Sequence, residues 1–222
     1  MTRNILAVAV HPDDETLGCG GALIKHAAIG DRIHSLIVTA MVPELFSSAR
    51  IASREQEIIE VADAYGFASV HRLGFPTTRL DTLSDADLIG GFSRVFEEIQ
   101  PHTVYLPFHA DVHSDHRRAF EAAYACTKSF RHAYVKRVLM MEVLSETEFA
   151  PALPQASFAP NVYCDITGHL ERKLAILQLY RGEVAAAPFP RSPETVRALA
   201  AYRGAVAGCD HAESFMLLKD VY

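Results

Sequence analysis

The sequence predicts an α/β protein: an open, largely parallel β-sheet flanked by helices on both faces. Three observations point there. Short apolar runs alternate along the chain with segments of helical period, as βα units require. The first run, residues 5–10, is apolar without a break, which suits a strand covered on both faces. At 222 residues the chain is short for an eight-stranded barrel, which takes about 250, so a doubly wound sheet is favoured. With no repeat and no low-complexity linker, residues 1–222 read as a single domain around one core.

The elements follow in order. After the first strand a helix is expected over residues 17–29, ended by Gly30 and Asp31, and then a strand over 33–39. Ser53 is the expected N-cap of the next helix, with Gln56 completing a capping box. Ile58, Val61, Ala62 and Tyr65 follow at helical spacing, and Gly66 stops the helix. A short strand fits residues 70–73. Ser84 caps an amphipathic helix with Leu88, Phe92, Val95, Phe96 and Ile99 on one face, and Pro101 ends it. Residues 103–106 form the next strand and 116–128 a helix; 135–143 and 161–165 read as later strands, and 170–180 as helix. The proline-rich stretches 150–160 and 185–193 are loops long enough to wall a site or an interface. The whole order of elements is Rossmann-like.

Charge and composition narrow the function classes. The formal charge is 21 − 27 = −6, so the overall attraction on which nucleic-acid or anionic-membrane binding relies is absent. No apolar run reaches the ~20 residues of a membrane span. The apolar stretch near the N-terminus is too brief for a signal peptide, and a cytoplasmic protein is expected. Cys19, Cys126, Cys164 and Cys209 are scattered without a Cys-x-x-Cys pair, as reduced packing residues would be.

Two predicted strand ends carry unusual polar clusters. His11, Pro12, Asp13, Asp14 and Glu15 follow the first strand; His109, Asp111, His113, Ser114, Asp115 and His116 follow the fourth. In an open α/β sheet ligands bind outside the carboxyl ends of the strands, and a parallel sheet brings both clusters to that edge. Imidazole and carboxylate suit zinc and other divalent first-row metals. His11 and Asp14, three apart, can aim at one ion from a single turn, and a histidine from the other loop would complete a three-ligand site open to water. The neighbouring carboxylate is then free to act as a base. Each cluster alone has a plainer explanation: Asp13 and Asp14 complement a helix dipole, and Ser114 or Asp115 can be an N-cap. Their convergence favours the chemical reading.

The residues also resemble a known family. His11-Pro12-Asp13-Asp14-Glu15, with Leu17-Gly18 and Gly20-Gly21, resembles the opening motif of the LmbE/PIG-L family of metal-dependent N-deacetylases. His113-Ser114-Asp115-His116 resembles its His-x-Asp-His motif, the segment from Ser53 to Glu57 its arginine-and-glutamate helix start, and Ala212-Glu213-Ser214-Phe215 its C-terminal segment. The resemblance implies that His11, Asp14 and His116 hold the metal and that Asp13 is the base for a metal-activated water. It implies that His113 stabilises the oxyanion and protonates the departing amine, with Asp115 as its charge partner, and that Arg54 reaches substrate hydroxyls or a phosphate. Zinc is the expected ion, with Fe2+ or Co2+ served by the same donors. The implied reaction removes the acetyl group from an N-acetylglucosamine-like sugar conjugate, a small-molecule partner; a homo-oligomer is in keeping with the family.

Two loops depart from the family pattern. Thr39-Ala40-Met41-Val42-Pro43-Glu44 stands where a Thr-x-Gly-acid turn is usual, and Thr77-Thr78 replaces Asp-Gly. These loops shape the sugar pocket, so they bear on substrate. His26, His34, His71, His102, His132 and His169 are expected to be structural. His109 and Asp111 are candidate outer partners of the ligands, and His211 a candidate neighbour of the site.

Rival readings fit less well. Leu23 stands where the third glycine of a dinucleotide fingerprint belongs, and no acidic residue ends the second strand. A two-histidine, one-carboxylate set also occurs in non-haem iron oxygenases, but the βα alternation is wrong for a jelly roll. A non-catalytic sugar-binding relative, or a hydrolase of another amide, remains as the alternative function.

Overall fold

The structure is a computed structural model and describes residues 2–222. A seven-stranded sheet runs through its centre. β1 (Asn4–Ala9) lies between β2 (Arg32–Ala40) and β4 (Thr103–Leu106) and is parallel to both. β3 (Ser69–Pro76) extends the sheet in parallel beyond β2, and β5 (Arg137–Met141) beyond β4. β7 (Ala212–Asp220) is the one reversed strand, antiparallel to β5 and to the edge strand β6 (Val162–Asp165). The resulting order, β3-β2-β1-β4-β5-β7-β6, turns back on itself between β1 and β4. That is the topological switch point, where an open sheet leaves a crevice.

Alternation along β1 explains its unbroken apolar run. Ile5 and Ala7 point to one core, packed by α1 (Asp14–Ala28), α2 (Ser48–Tyr65), α5 (Leu170–Leu177) and α6 (Pro193–Ala207). Leu6 and Val8 point to the other, packed by α3 (Asp85–Ile99) and α4 (Ser114–Ala125). A strand with two covered faces has no polar side to show. Among the described residues no helix is long and apolar enough to cross a membrane, and the four cysteines are free thiols.

Several boundaries differ from the sequence reading. α2 begins not at Ser53 but at Ser47, whose hydroxyl accepts the Arg50 N–H at 3.2 Å. Ser53 lies inside the helix and donates to Glu57 Oε1 at 3.0 Å. The extra turn carries only one large apolar residue, Ile51, so periodicity does not reveal it. β3 outruns its predicted length because a bulge, eased by Gly74 at φ 69°, lets Phe75 and Pro76 rejoin β2. α4 starts at Ser114 with His113 as its cap, where Ser114 or Asp115 was expected. α6 and β7 have no counterpart in the reading. The buried stripe of α6 is Val196, Ala200 and Gly204, too small-sided to stand out as a periodic pattern.

α1 starts at Asp14, three residues earlier than its periodicity suggests, and it is broken in the middle. Cys19 leaves the helical region at φ −144°, ψ 21°. The break frees backbone groups, and two distant side chains satisfy them. Glu213 of β7 accepts the N–H groups of Gly21 at 2.7 Å and Ala22 at 2.8 Å, while Lys173 of α5 donates to the Leu17 carbonyl at 2.8 Å. Lys173 and Glu213 also pair with one another at 2.8 Å, each side chain 4% exposed. The flanking glycines permit the close approach: a Cβ on Gly21 would lie 2.6 Å from Ile166, and one on Gly18 2.8 Å from Met141. The Ala-Glu-Ser-Phe segment thus acts as a splint for the helix that carries Asp14.

Breaking a buried pair by removing one partner costs about 3–5 kcal/mol. Lys173→Met is therefore expected to lower unfolding free energy by that order in urea titration. Lys173→Met combined with Glu213→Gln is expected to lose less than the sum of the two single losses. Additive losses would show that the two side chains act independently.

Candidate active site

The two polar clusters leave the sheet side by side at the switch point. β1 ends at Ala9 and the chain turns through His11, Pro12 and Asp13 into α1; after β4 it loops to His113, which caps α4. The first turn is held from several sides. The His11 N–H donates to Asp14 Oδ2 at 2.8 Å, the Pro12 carbonyl accepts Arg54 Nη1 at 2.6 Å, and the Asp13 carbonyl accepts the Thr16 and Leu17 N–H groups at 3.0 and 2.9 Å. Within it Asp13 is forced to φ 133°, a conformation that a residue with a side chain adopts only under constraint. Its carboxylate makes no capping hydrogen bond, although it stands at the N-cap, and it lines the pocket instead.

Three donor atoms converge above this turn. His116 Nε2 lies 3.3 Å from His11 Nδ1 and 3.3 Å from Asp14 Oδ2. The outer nitrogen of each ring faces a carboxylate. His116 Nδ1 donates to Asp111 Oδ2 at 2.8 Å, and His11 Nε2 faces Asp115 Oδ2 at 3.3 Å. An imidazole whose outer N–H is held by a carboxylate turns a lone pair inward. Two inward lone pairs and one carboxylate oxygen then meet at a single point, a donor set that fits a divalent cation. A second combination, His11, His113 and Asp115, also lies within ligating reach.

The outer carboxylates are themselves fixed. Thr147 Oγ1 donates to Asp111 Oδ1 at 2.7 Å. The N–H groups of Thr78 and Leu80 donate to Asp115 at 2.6 and 3.1 Å. Asp111 is thus the outer partner that the sequence suggested. Asp115 is placed differently from the expectation: its carboxylate serves His11, and it meets His113 through its backbone N–H, which donates to His113 Nδ1 at 3.1 Å. That bond leaves Nε2 as the protonated nitrogen of a neutral His113.

Charge is distributed unevenly across the cluster. Burial raises the Asp14 carboxyl, but the His116 and His11 rings more than offset it and bring it down to about 2. Burial, reinforced by the charges of Asp14 and Glu183, pushes the Asp13 carboxyl well above the usual range, despite Arg191 and Arg54. Burial and the neighbouring His11 ring lower His113 to about 4. Burial disfavours charge on His116, but Asp14 and Asp111 outweigh it, so this point in the site favours positive charge.

The crevice above these residues has a volume of about 350 Å³ and is lined by His11, Asp13, Asp14 and His113 on its floor. Arg54 lines it too, but its guanidinium is already engaged by the Pro12 carbonyl, by Glu183 and, at 3.1 Å, by Glu57. Glu183 and Arg191 were not found by sequence reasoning. They come from the loop between α5 and α6, whose prolines were the only signal that it walls a site. Arg191 donates to Glu183 Oε2 at 3.0 Å and to Ser145 Oγ at 2.8 Å, and its Nε lies 3.8 Å from Asp13 Oδ2. Glu146 was also missed; it lines the crevice with a buried Oε2 that has no hydrogen-bond partner. His109 packs on Phe108 and Phe120 and does not line the crevice. His211 does not line the crevice; it anchors the segment before β7 through its N–H to Thr167. His26 and His34 hold ordinary structural bonds, to Asp31 and to Ser69.

The chain is similar to known proteins in sequence and in fold. The chain is 24% identical over 225 residues to the 1D-myo-inositol 2-acetamido-2-deoxy-alpha-D-glucopyranoside deacetylase of Mycobacteroides abscessus, covering 81% of each. Its fold resembles that of the N,N'-diacetylchitobiose deacetylase of Pyrococcus horikoshii, with a TM-score of 0.78, 20% identity, and 98% and 84% of the two chains covered. It equally resembles GalB of Pseudomonas putida KT2440, the 4-carboxy-2-hydroxymuconate hydratase, with a TM-score of 0.77, 20% identity, and 100% and 98% covered. Fold likeness at this level thus spans more than one reaction, and the chemistry has to be argued from the site. Residues 6–127, more than half of the chain and including both polar clusters, match the family described as "GlcNAc-PI de-N-acetylase". The chain belongs to the PIG-L family.

Proposed function

We propose that residues 1–222 act as one metal-dependent N-deacetylase domain, hydrolysing the acetamide of an N-acetylglucosamine-like conjugate. The observation that carries this is the inward convergence of His11, Asp14 and His116 beside the uncommitted carboxylate of Asp13. The deacetylase relative and the family support the same reaction class. Zinc suits the donors and the absence of any redox demand, with Fe2+ or Co2+ as substitutes.

An ion held by these three residues supplies a Lewis acid and makes water a usable nucleophile near neutral pH. Asp13, held in its strained turn, accepts a proton at its carboxylate as the water oxygen bonds to the acetyl carbon. Its raised proton affinity suits it to keep that proton and pass it to the nitrogen as the C–N bond breaks, leaving acetate and a free amine. His113 offers its Nε2–H to the developing oxyanion. The sequence reading gave proton delivery to an imidazolium at His113; burial, the His11 ring and the Asp115 backbone N–H held at Nδ1 outweigh the Asp115 charge and favour a neutral ring, and so Asp13 in that role. Arg54 and Arg191 hold the pocket wall and place positive charge near Asp13.

Chelation followed by dialysis is expected to abolish acetate release, and added zinc to restore it. The substrate panel spans N-acetylglucosamine, chitobiose, inositol glycosides and nucleotide sugars. Metal-replete protein that releases no acetate from any of them would overturn the reading. Asp13→Asn is expected to retain bound metal and lose about 10²–10⁴ in kcat; an unchanged kcat would remove Asp13 from the chemistry. His113→Ala is expected to lower kcat with little change in KM, since it removes an interaction made in the transition state. Asp111→Asn and Asp115→Asn are each expected to weaken zinc binding by about 10–100-fold in competition with a chromogenic chelator.

A further inference from the structure

The crevice has two unlike halves. One is the floor with its donors, together with Ser145, Glu146, Glu183 and Arg191. The other is the turn from β2 into α2, where Ile37, Met41, Phe46, Ile51 and Ile58 line the cavity. Ile37 and Ile58 are buried, while Met41, Phe46 and Ile51 are half-buried. Polar groups on this side are largely spoken for. The Thr39 hydroxyl donates to the Val10 carbonyl at 2.8 Å, and Arg72 is paired with Glu55. A pyranose carries hydroxyls around its whole rim and needs partners for them, because a buried hydroxyl without one is unfavourable. Apart from Thr77 and the exposed Arg72–Glu55 pair, this wall offers contact area in place of partners. It is also where the sequence departs from the usual Thr-x-Gly-acid turn, with Met41, Val42 and Pro43 in its place.

We propose that the β2–α2 wall binds an alkyl or aryl group of the substrate, so that the preferred substrate is an N-acylated amino sugar carrying such a group and not the free sugar. The inference rests on the N-deacetylase reading for its sugar and on the lining of the cavity for its apolar group. Two sources would present the same chemistry: an acyl chain longer than acetyl, or an apolar aglycone. The ~350 Å³ cavity falls within the range of small-molecule sites, which are mostly apolar with a few placed polar groups. Each buried methylene is expected to contribute about fourfold.

Two substrate series with the zinc-loaded full chain separate the sources. One compares N-acetyl, N-butanoyl and N-hexanoyl glucosamine; the other compares methyl, hexyl and phenyl glycosides of N-acetylglucosamine. A rise in kcat/KM of at least about tenfold along either series is expected and names the source. Phe46→Ser and Met41→Ser are expected to flatten that rise, and the ratio of two substrates on one variant is insensitive to how much of it is folded. Flat profiles in both series, with turnover present, would overturn the proposal and leave the deacetylase reading standing. If no member is turned over, the deacetylase reading fails. Calorimetry with methyl and hexyl glucosaminide then decides the wall: tighter binding of the hexyl compound supports it, and equal binding overturns it.

Discussion

The site depends on β1 being held between two parallel neighbours. Because β2 and β4 run in the same direction as β1, the chain leaves β1 and β4 at the same edge of the sheet. His11 and His116, 105 residues apart in sequence, can then bring ring nitrogens to 3.3 Å. An antiparallel partner in place of β4 would send the second cluster to the opposite edge. Burial on both faces holds β1 in the middle of the sheet, and its register with β2 and β4 places the loops that carry His11 and His116.

Parallel pairing places the two loops but does not hold them. Local constraint does that, and it is supplied by groups far away in the chain. The break in α1 at Cys19 separates a short N-terminal segment, carrying Asp14 and Glu15, from the rest of the helix. Glu213 and Lys173 close the gap that the break leaves in the backbone hydrogen bonding. Glycines at 18, 20 and 21 let this segment settle close against Met141, Tyr65 and Ile166. The glycine-rich stretch therefore serves packing at a kink, and its resemblance to a nucleotide loop is superficial.

Carboxylates at the site divide their work by environment. Asp111 and Asp115 are each anchored by protein donors and turned toward the outer nitrogen of a histidine. Asp14 is held charged by the rings beside it, whereas Asp13, one residue earlier, is pushed the other way by burial and by its neighbours' charge. Two adjacent residues of one type thereby have opposed proton affinities, which is the division that the proposed ligand and base roles require. The pocket above them is equally divided, between a charged wall from the α5–α6 loop and an apolar wall from the β2–α2 turn.

How much of this was legible in the sequence follows from the range of the interactions. The sheet class, the order of the early elements and the two polar clusters could be read directly, with His11 and Asp14 as candidate donors; the family resemblance added His116. Strand burial and helix period are local patterns, and the two clusters sit directly after strands. Ser53 misled because a capping box is a local signal that a helix interior can mimic, and α6 was missed because its packing face is made of small residues. Glu183, Arg191, Lys173 and Glu213 acquire their roles from contacts between distant segments; Gly21 and Glu213 are 192 residues apart. The partner of Asp115 was likewise decided by tertiary structure, since spacing alone does not say which neighbouring histidine a carboxylate will face. By itself the sequence determined the fold class and the two polar clusters that meet at one edge of the sheet. Tertiary structure decided which groups orient the two histidines and what lines the crevice, because loops and splints are assembled only when the sheet is complete.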